Sequence, residues 1–149
     1  MKRFRPLRIS QIVRDQYADV PAIHPDTFIY PYFVMDGSGI KEPIATMEGI
    51  YRFSIDELLV DIEDLLTLGI NKVLLFGVIK QEDKDACGTA AYQPDSIISK
   101  AVKAIKSRFP HLLVFTDVCL CEYTSHGHCG LLCDCDVDND TTLPLLAEM

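Results

Sequence analysis

A chain of 149 residues, 48% of them hydrophobic, is long enough to bury one sizeable core. Its formal charge of -8, from 14 basic and 22 acidic residues, argues against nucleic acid as a partner and places the acidity on solvated helix faces. No apolar stretch approaches the roughly 18 residues of a membrane span, so no membrane partner is expected. The basic start, Met1-Lys2-Arg3-Phe4-Arg5, is not followed by an apolar signal core, and six cysteines fall short of disulfide-scaffold density, which points to a reducing, cytoplasmic setting.

Residues 1 to about 24 show neither strand nor helix period and concentrate Arg3, Arg5, Arg8 and Arg14; they are expected to form an arm, with the body of the chain over 25–149. Pro21 and Pro25 bracket the transition. Phe28 to Val34 is predicted as a strand, with irregular pairing at Pro31. Ser54-Ile55-Asp56-Glu57 has the form of a capping box. After it Ile55, Leu58, Leu59, Ile62, Leu65 and Leu66 repeat at helical spacing up to Gly69, the expected C-cap. Val73 to Val78 is an unbroken apolar run, as a strand covered on both faces should be.

Polar residues 80–92 around Gly88 are predicted as a loop. A second helix is expected from about Asp95, with Ile97, Ile98, Ala101, Val102 and Ile105 inward. Lys103, Lys106 and Arg108 suit its C-terminal end, and Pro110 lies beyond. Leu112 to Val118 reads as the third strand. Near the end of the sequence Asp140 is the expected N-cap of a further helix, with Leu143, Leu146 and Ala147 beginning its apolar face. Strand, helix, strand, helix, strand predicts an α/β fold with parallel neighbours.

Directly after the third strand comes Asp117-Val118-Cys119-Leu120-Cys121-Glu122-Tyr123-Thr124-Ser125-His126-Gly127-His128-Cys129-Gly130. Thiolates and imidazoles are ligands that zinc prefers. Cys119 and Cys121 lie two apart, so on an extended segment their side chains share a side. Cys129 joins them if the loop through Gly127 curls back. Three sulfurs leave a fourth tetrahedral position open, the mark of a catalytic rather than a structural zinc. Two blander readings stand beside this one: buried cysteines packed as small apolar residues, or a Cys-x-Cys redox pair. Asp117 at a strand end can equally cap a loop.

The same segment, DVCLCEYTSHGHCG, resembles the metal-binding signature of the zinc-dependent porphobilinogen synthases, also called delta-aminolevulinic acid dehydratases. Phe28-Ile29-Tyr30-Pro31-Tyr32-Phe33-Val34 is similar to that family's first barrel strand, and Met47-Glu48-Gly49-Ile50-Tyr51-Arg52 to its motif before the first helix. Leu75-Phe76-Gly77-Val78, Lys84-Asp85 and Val137-Asp138-Asn139-Asp140-Thr141-Thr142-Leu143 continue in the family's order. Ala86, Cys87, Cys133 and Cys135 depart from the pattern. The first two put a salt link of their loop in doubt; the last two either perturb metal loading or, the preferred reading, are accidental thiols.

What the resemblance implies is a (β/α)8 TIM barrel. Such a barrel usually needs about 250 residues, so the expectation is an N-terminal arm and roughly the first three strand-helix units, a truncated piece. The implied reaction condenses two molecules of 5-aminolevulinate into porphobilinogen with loss of two waters, in heme and tetrapyrrole synthesis. The implied zinc ligands are Cys119, Cys121 and Cys129. Asp117 becomes an active-site carboxylate that moves a proton or holds the amine, near the barrel mouth where Phe76 is also expected. His126 and His128 remain open between outer-shell donor, ligand of a second metal and loop packing, while His24 and His111 offer no partner. The family assembles through its arm into homo-octamers. Its Schiff-base lysines match none of Lys41, Lys72, Lys80, Lys84, Lys100, Lys103 and Lys106, which leaves the metal half of the mechanism. The alternatives are an inactive zinc-binding fragment, an interaction module docking onto full-length subunits, or a redox role for Cys119 and Cys121.

Overall fold

In a computed structural model residues 10–16 and 23–149 are described, so Arg3, Arg5, Arg8 and Pro21 of the expected arm lie outside the described residues. The arm is not wholly without period: Gln11–Gln16 is a short helix, α1, in which Arg14 Nη2 donates to Gln11 Oε1 at 2.7 Å. The body then runs β1 (Tyr30–Met35), β2 (Lys41–Pro43), β3 (Tyr51–Phe53), α2 (Ile55–Thr67), β4 (Lys72–Val78), α3 (Ile97–Arg108) and β5 (Leu113–Thr116). It continues through β6 (Leu132–Cys133), β7 (Asp136–Val137) and α4 (Asn139–Glu148).

Five strands form one mixed sheet in the order β2-β3-β1-β4-β5. The three expected strands are parallel neighbours, β1 with β4 and β4 with β5. The first begins later than predicted, leaving Phe28 and Ile29 exposed ahead of it. Pro31 does not disturb it: the register runs unbroken from Tyr30↔Val73 to Met35↔Val78. The other neighbour, β3, pairs only with Phe33 and Val34, so at Pro31 that side of β1 needs no backbone donor. The hairpin β2–β3 was not expected from the sequence. It is pinned to α2 by Asp61, which accepts from Lys41 Nζ at 2.8 Å and from the buried Tyr32 hydroxyl at 2.9 Å.

The helices carry the periods read in the sequence. Leu58, Ile62 and Leu65 of α2 and Ile97, Ala101 and Ile105 of α3 are buried against Tyr32, Val34, Val73 and Leu75 of the sheet. Gly69, in the left-handed region at φ 82°, ends the α2 segment as expected. The capping box does not form. Ser54 is the N-cap residue, but its hydroxyl bonds Asp56 and the Ile40 backbone instead of the helix amides. Lys106 Nζ satisfies the carbonyls of Pro110 and Leu112 beyond α3, at 3.1 and 2.7 Å.

Two further expectations are corrected. β4 is covered on one face only: Val73 and Leu75 are fully buried, while Leu74 and Phe76 on the other face are not. The ladders place Phe33, Leu74, Phe76, Leu113 and Phe115 together on that second face. Phe76 packs there on Phe33 with ring centroids 5.3 Å apart, and Leu113 and Phe115 stay 49% and 40% exposed. In α4 the N-cap is Asp138 rather than Asp140, its carboxylate accepting from the amides of Asp140 and Thr141. The inward residues are Thr142, Leu145, Leu146 and Met149, while Leu143 and Ala147 face solvent. The helix is capped two residues earlier than expected, and of the predicted apolar face only Leu146 packs inward.

Candidate metal centre

β5 is shorter than expected and its last ladder bond, Asp117 N to Leu75 O at 3.1 Å, lies just past Thr116. The chain then leaves the sheet at its C-terminal edge. Leu120 turns inward, fully buried beside Tyr123 and Ala91 and against Leu145, Leu146 and Met149 of α4. Its carbonyl accepts from both Tyr123 N and Thr124 N at 2.9 Å, closing a turn where an extended segment was expected. Because Leu120 points into the core, the flanking Cys119 and Cys121 point away from it, and their sulfurs lie 3.2 Å apart.

The return of the loop is built from several anchors. Gly127 takes a left-handed φ of 74°, a conformation open to glycine at little cost. The buried Thr124 donates its hydroxyl to His128 O at 2.9 Å and forms a bridge with Asp85, whose carbonyl accepts from Ser125 N at 2.8 Å. Gly130 is buried against α4: a Cβ there would meet Thr142 Oγ1 at 2.5 Å and Val137 Cγ1 at 2.6 Å. The outcome is that the sulfurs of Cys119, Cys121 and Cys129 all lie within 4.8 Å of one another.

That spacing fits a tetrahedral thiolate site. Zinc–sulfur bonds of about 2.3 Å at tetrahedral angles separate sulfurs by roughly 3.8 Å; here one pair lies at 3.2 Å and all three sulfurs lie within 4.8 Å of one another. Among the described residues no further Cys, His, Asp or Glu joins the group. Cys129 is exposed and the other two half-buried, so the cluster opens to solvent on the Cys129 side. Burial pushes the Cys121 thiol up to about 12, helped by the neighbouring Cys119 and Cys129. Cys129 is also raised, chiefly by its hydrogen bond with Cys119.

Asp117 is half-buried and lines a cavity of about 300 Å³ with Ser96, Ser99, Lys103 and Tyr123. Tyr123 is held protonated, mainly by burial and then by the charges of Glu122 and Asp117. Glu122 was missed by sequence reasoning, although it directly follows Cys121. Its carboxyl is pushed up to about 7, first by burial and then by Asp117, against the opposing charge of Lys84. It lines a second cavity of about 260 Å³ with Phe33, Arg52 and Lys84 at the same strand ends.

The remaining candidates separate cleanly. His126 has both ring nitrogens engaged: Nδ1 with His128 N and Nε2 with Ala86 O, each at 3.1 Å. The His128 ring is exposed, 5.5 Å from that of His126. The 80–92 loop is held by Asp85, whose carboxylate accepts from Cys87 N and Thr89 N, and it touches the cysteine loop through the Ala86 backbone. The departures Ala86 and Cys87 therefore leave this contact intact. Cys133 and Cys135 are exposed on the β6–β7 hairpin, outside the cluster of three. His24 and His111 are not part of it: His24 precedes a 3-10 turn and His111 lines a cavity with Leu66 and Phe109.

The family model described as delta-aminolevulinic acid dehydratase matches residues 1–149. The delta-aminolevulinic acid dehydratase of Helicobacter pylori is 47% identical over 97% of this chain and 44% of that protein. That of Bacillus subtilis is 43% identical over 98% of this chain and again 44% of its own length. The protein of the same name from Ruminiclostridium josui is 40% identical, with 71% of its length covered. The fold matches the delta-aminolevulinic acid dehydratase (porphobilinogen synthase) of Toxoplasma gondii ME49, solved with the reaction product porphobilinogen. The TM-score is 0.83 at 32% identity, covering 99% of this chain and 42% of that one. The chain thus spans less than half the length of most of these relatives, and along all of that span it belongs to the delta-aminolevulinic acid dehydratase family.

Proposed function

We propose that this chain supplies the zinc-binding part of a porphobilinogen synthase, which condenses two 5-aminolevulinate molecules into porphobilinogen in heme and tetrapyrrole synthesis. The observation that carries the reading is the convergence of Cys119, Cys121 and Cys129 within 4.8 Å at the C-terminal end of a parallel strand, with no fourth protein ligand among the described residues. In a (β/α)8 barrel that end is where active sites are built, and the parallel neighbours β1, β4 and β5 fit the first units of such a barrel. Zinc held there would supply Lewis-acid stabilisation of charge developing on a substrate, worth several kcal/mol.

The neighbouring side chains then divide the remaining work. Asp117, on the rim of its cavity, accepts a proton from the substrate or holds its ammonium group. Tyr123, kept protonated, presents a donor to the same cavity. The Schiff-base lysines that the resemblance implies match none of the lysines here, so this chain by itself is read as lacking the covalent half of the reaction. In this reading the enzyme is cytoplasmic, residues 1–24 are its assembly arm, and the whole protein is a homo-octamer. The uncovered face bearing Phe33, Phe76 and Phe115 favours a companion reading, an inactive zinc-binding piece that docks onto full-length subunits.

The test is metal content. Purified chain should hold one zinc per molecule by atomic emission, and Cys129→Ala should lose it. Unchanged zinc in that variant sinks the assignment. Uptake should also release protons and weaken as pH falls, because the raised thiols must ionise to bind.

A further inference from the structure

The geometry points to His126 as the positioning residue that delivers Cys129 to the cysteine pair, acting as a two-ended latch and not as a metal ligand. The inference rests on the metal site proposed above. His128 N can only donate, so Nδ1 of His126, 3.1 Å away, must be an unprotonated acceptor. Ala86 O can only accept, so Nε2 at 3.1 Å must carry the hydrogen. The two contacts together select one neutral tautomer and occupy both ring nitrogens, which leaves no lone pair for a metal. This removes His126 from the ligand candidates, and among the described residues no other His, Asp or Glu groups with the three sulfurs.

The latch acts on the residue that precedes Cys129. His128 is gripped at both backbone groups, its N–H by the His126 ring and its carbonyl by the hydroxyl of buried Thr124. Thr124 is fixed in turn by the bridge to Asp85. The far end of the ring ties the same loop to the Ala86 carbonyl, in the neighbouring loop that Asp85 shapes through Cys87 N and Thr89 N. Glycine at 127 makes the reversal easy but also leaves it floppy. The ring supplies the rigidity that the glycine removes, and beyond its sulfur contacts with Cys119 and Cys121 the Cys129 side chain is exposed.

Two measurements on the full chain test this. Magic-angle-spinning 15N spectra of metal-free protein read the His126 tautomer in whatever association state the chain adopts. The protonated Nε2 form is expected; a protonated Nδ1 or a doubly protonated ring overturns the latch without reference to any metal. Cobalt(II) titration, followed by the thiolate charge-transfer band, then reads affinity. His126→Ala should weaken binding about 10- to 100-fold, the usual effect of losing a group that orients a ligand. His126→Asn keeps an acceptor in place of Nδ1 and His126→Gln a donor in place of Nε2, so each should fall between alanine and wild type. Equal affinity for alanine and wild type overturns the latch, as does a failure of both amides to improve on alanine. Failure of the metal reading itself looks different: the wild-type chain would show no thiolate band at all.

Discussion

Gly77 shows how single positions set the site. It lies on the covered face of β4, paired with Val34, and a Cβ there would overlap the Tyr123 hydroxyl and come 2.9 Å from Tyr123 Cζ. Overpacking of this kind costs about 1–3 kcal/mol. Gly77→Ala should therefore lower the melting temperature and, because Tyr123 follows Cys121 and Glu122 in the chain, broaden the cobalt–thiolate spectrum. Adding Tyr123→Phe removes the worst overlap, so the double variant should melt above the single one; a double variant no more stable would place the strain elsewhere. The sequence could not announce this contact, since Leu75-Phe76-Gly77-Val78 reads as an apolar run and Tyr123 is remote along the chain. The cysteine triad was open to reading because sulfur spacing is written in order. Glu122 was not: a carboxylate's burial depends on what packs over it, and local sequence carries no such record.

At the scale of elements, long periods were legible and short pieces were not. Leu58, Ile62 and Leu65, or Ile97, Ala101 and Ile105, repeat often enough to fix which face of α2 or α3 is buried. Lys41–Pro43 and Tyr51–Phe53 are three residues each, too few for a period, and they form a hairpin because neighbours hold them. Asp56 is one such holder. Its carboxylate accepts from the Ser54 and Ser38 hydroxyls and from Gly39 N at 2.7 Å, tying the turn before β2 to the start of α2. The serine that looked like a cap is engaged instead, through Asp56, in this tie. These bonds, that to Ser54 foremost, hold the Asp56 carboxyl well below its ordinary value of 3.8. A depressed carboxyl stabilises the fold fully above its unfolded value and loses that contribution as pH falls toward the folded one. Asp56→Asn should accordingly melt lower than wild type near pH 7, and the gap should close as pH is taken below 3.8. A gap that stays constant down to pH 2 would assign the loss to packing.

At the scale of the whole molecule, α2 and α3 cover one face of the sheet while, among the described residues, the other is left open. This asymmetry bears on both its solution behaviour and its chemistry. The β2 edge is a poor template for pairing, being three exposed residues with a lysine and a proline. The other edge, β5, carries the exposed Leu113 and Phe115 and adjoins the apolar face of Phe33 and Phe76. The isolated chain should therefore self-associate, and a sharp, concentration-independent transition of a soluble monomer would contradict that. The same open side is where the chemistry stops. Lewis-acid stabilisation of several kcal/mol cannot replace the covalent activation that divides a hard condensation into easier steps. A Schiff base needs an amine facing the reacting ketone, yet Lys103, which lines the same cavity as Asp117, sits exposed on α3. No porphobilinogen should form from 5-aminolevulinate and the zinc-loaded 149-residue chain. Borohydride trapping with labelled substrate gives the direct reading: mass spectrometry should find no adduct on any of the eight lysines, and a trapped adduct on Lys103 or Lys84 would place the missing nucleophile inside this chain.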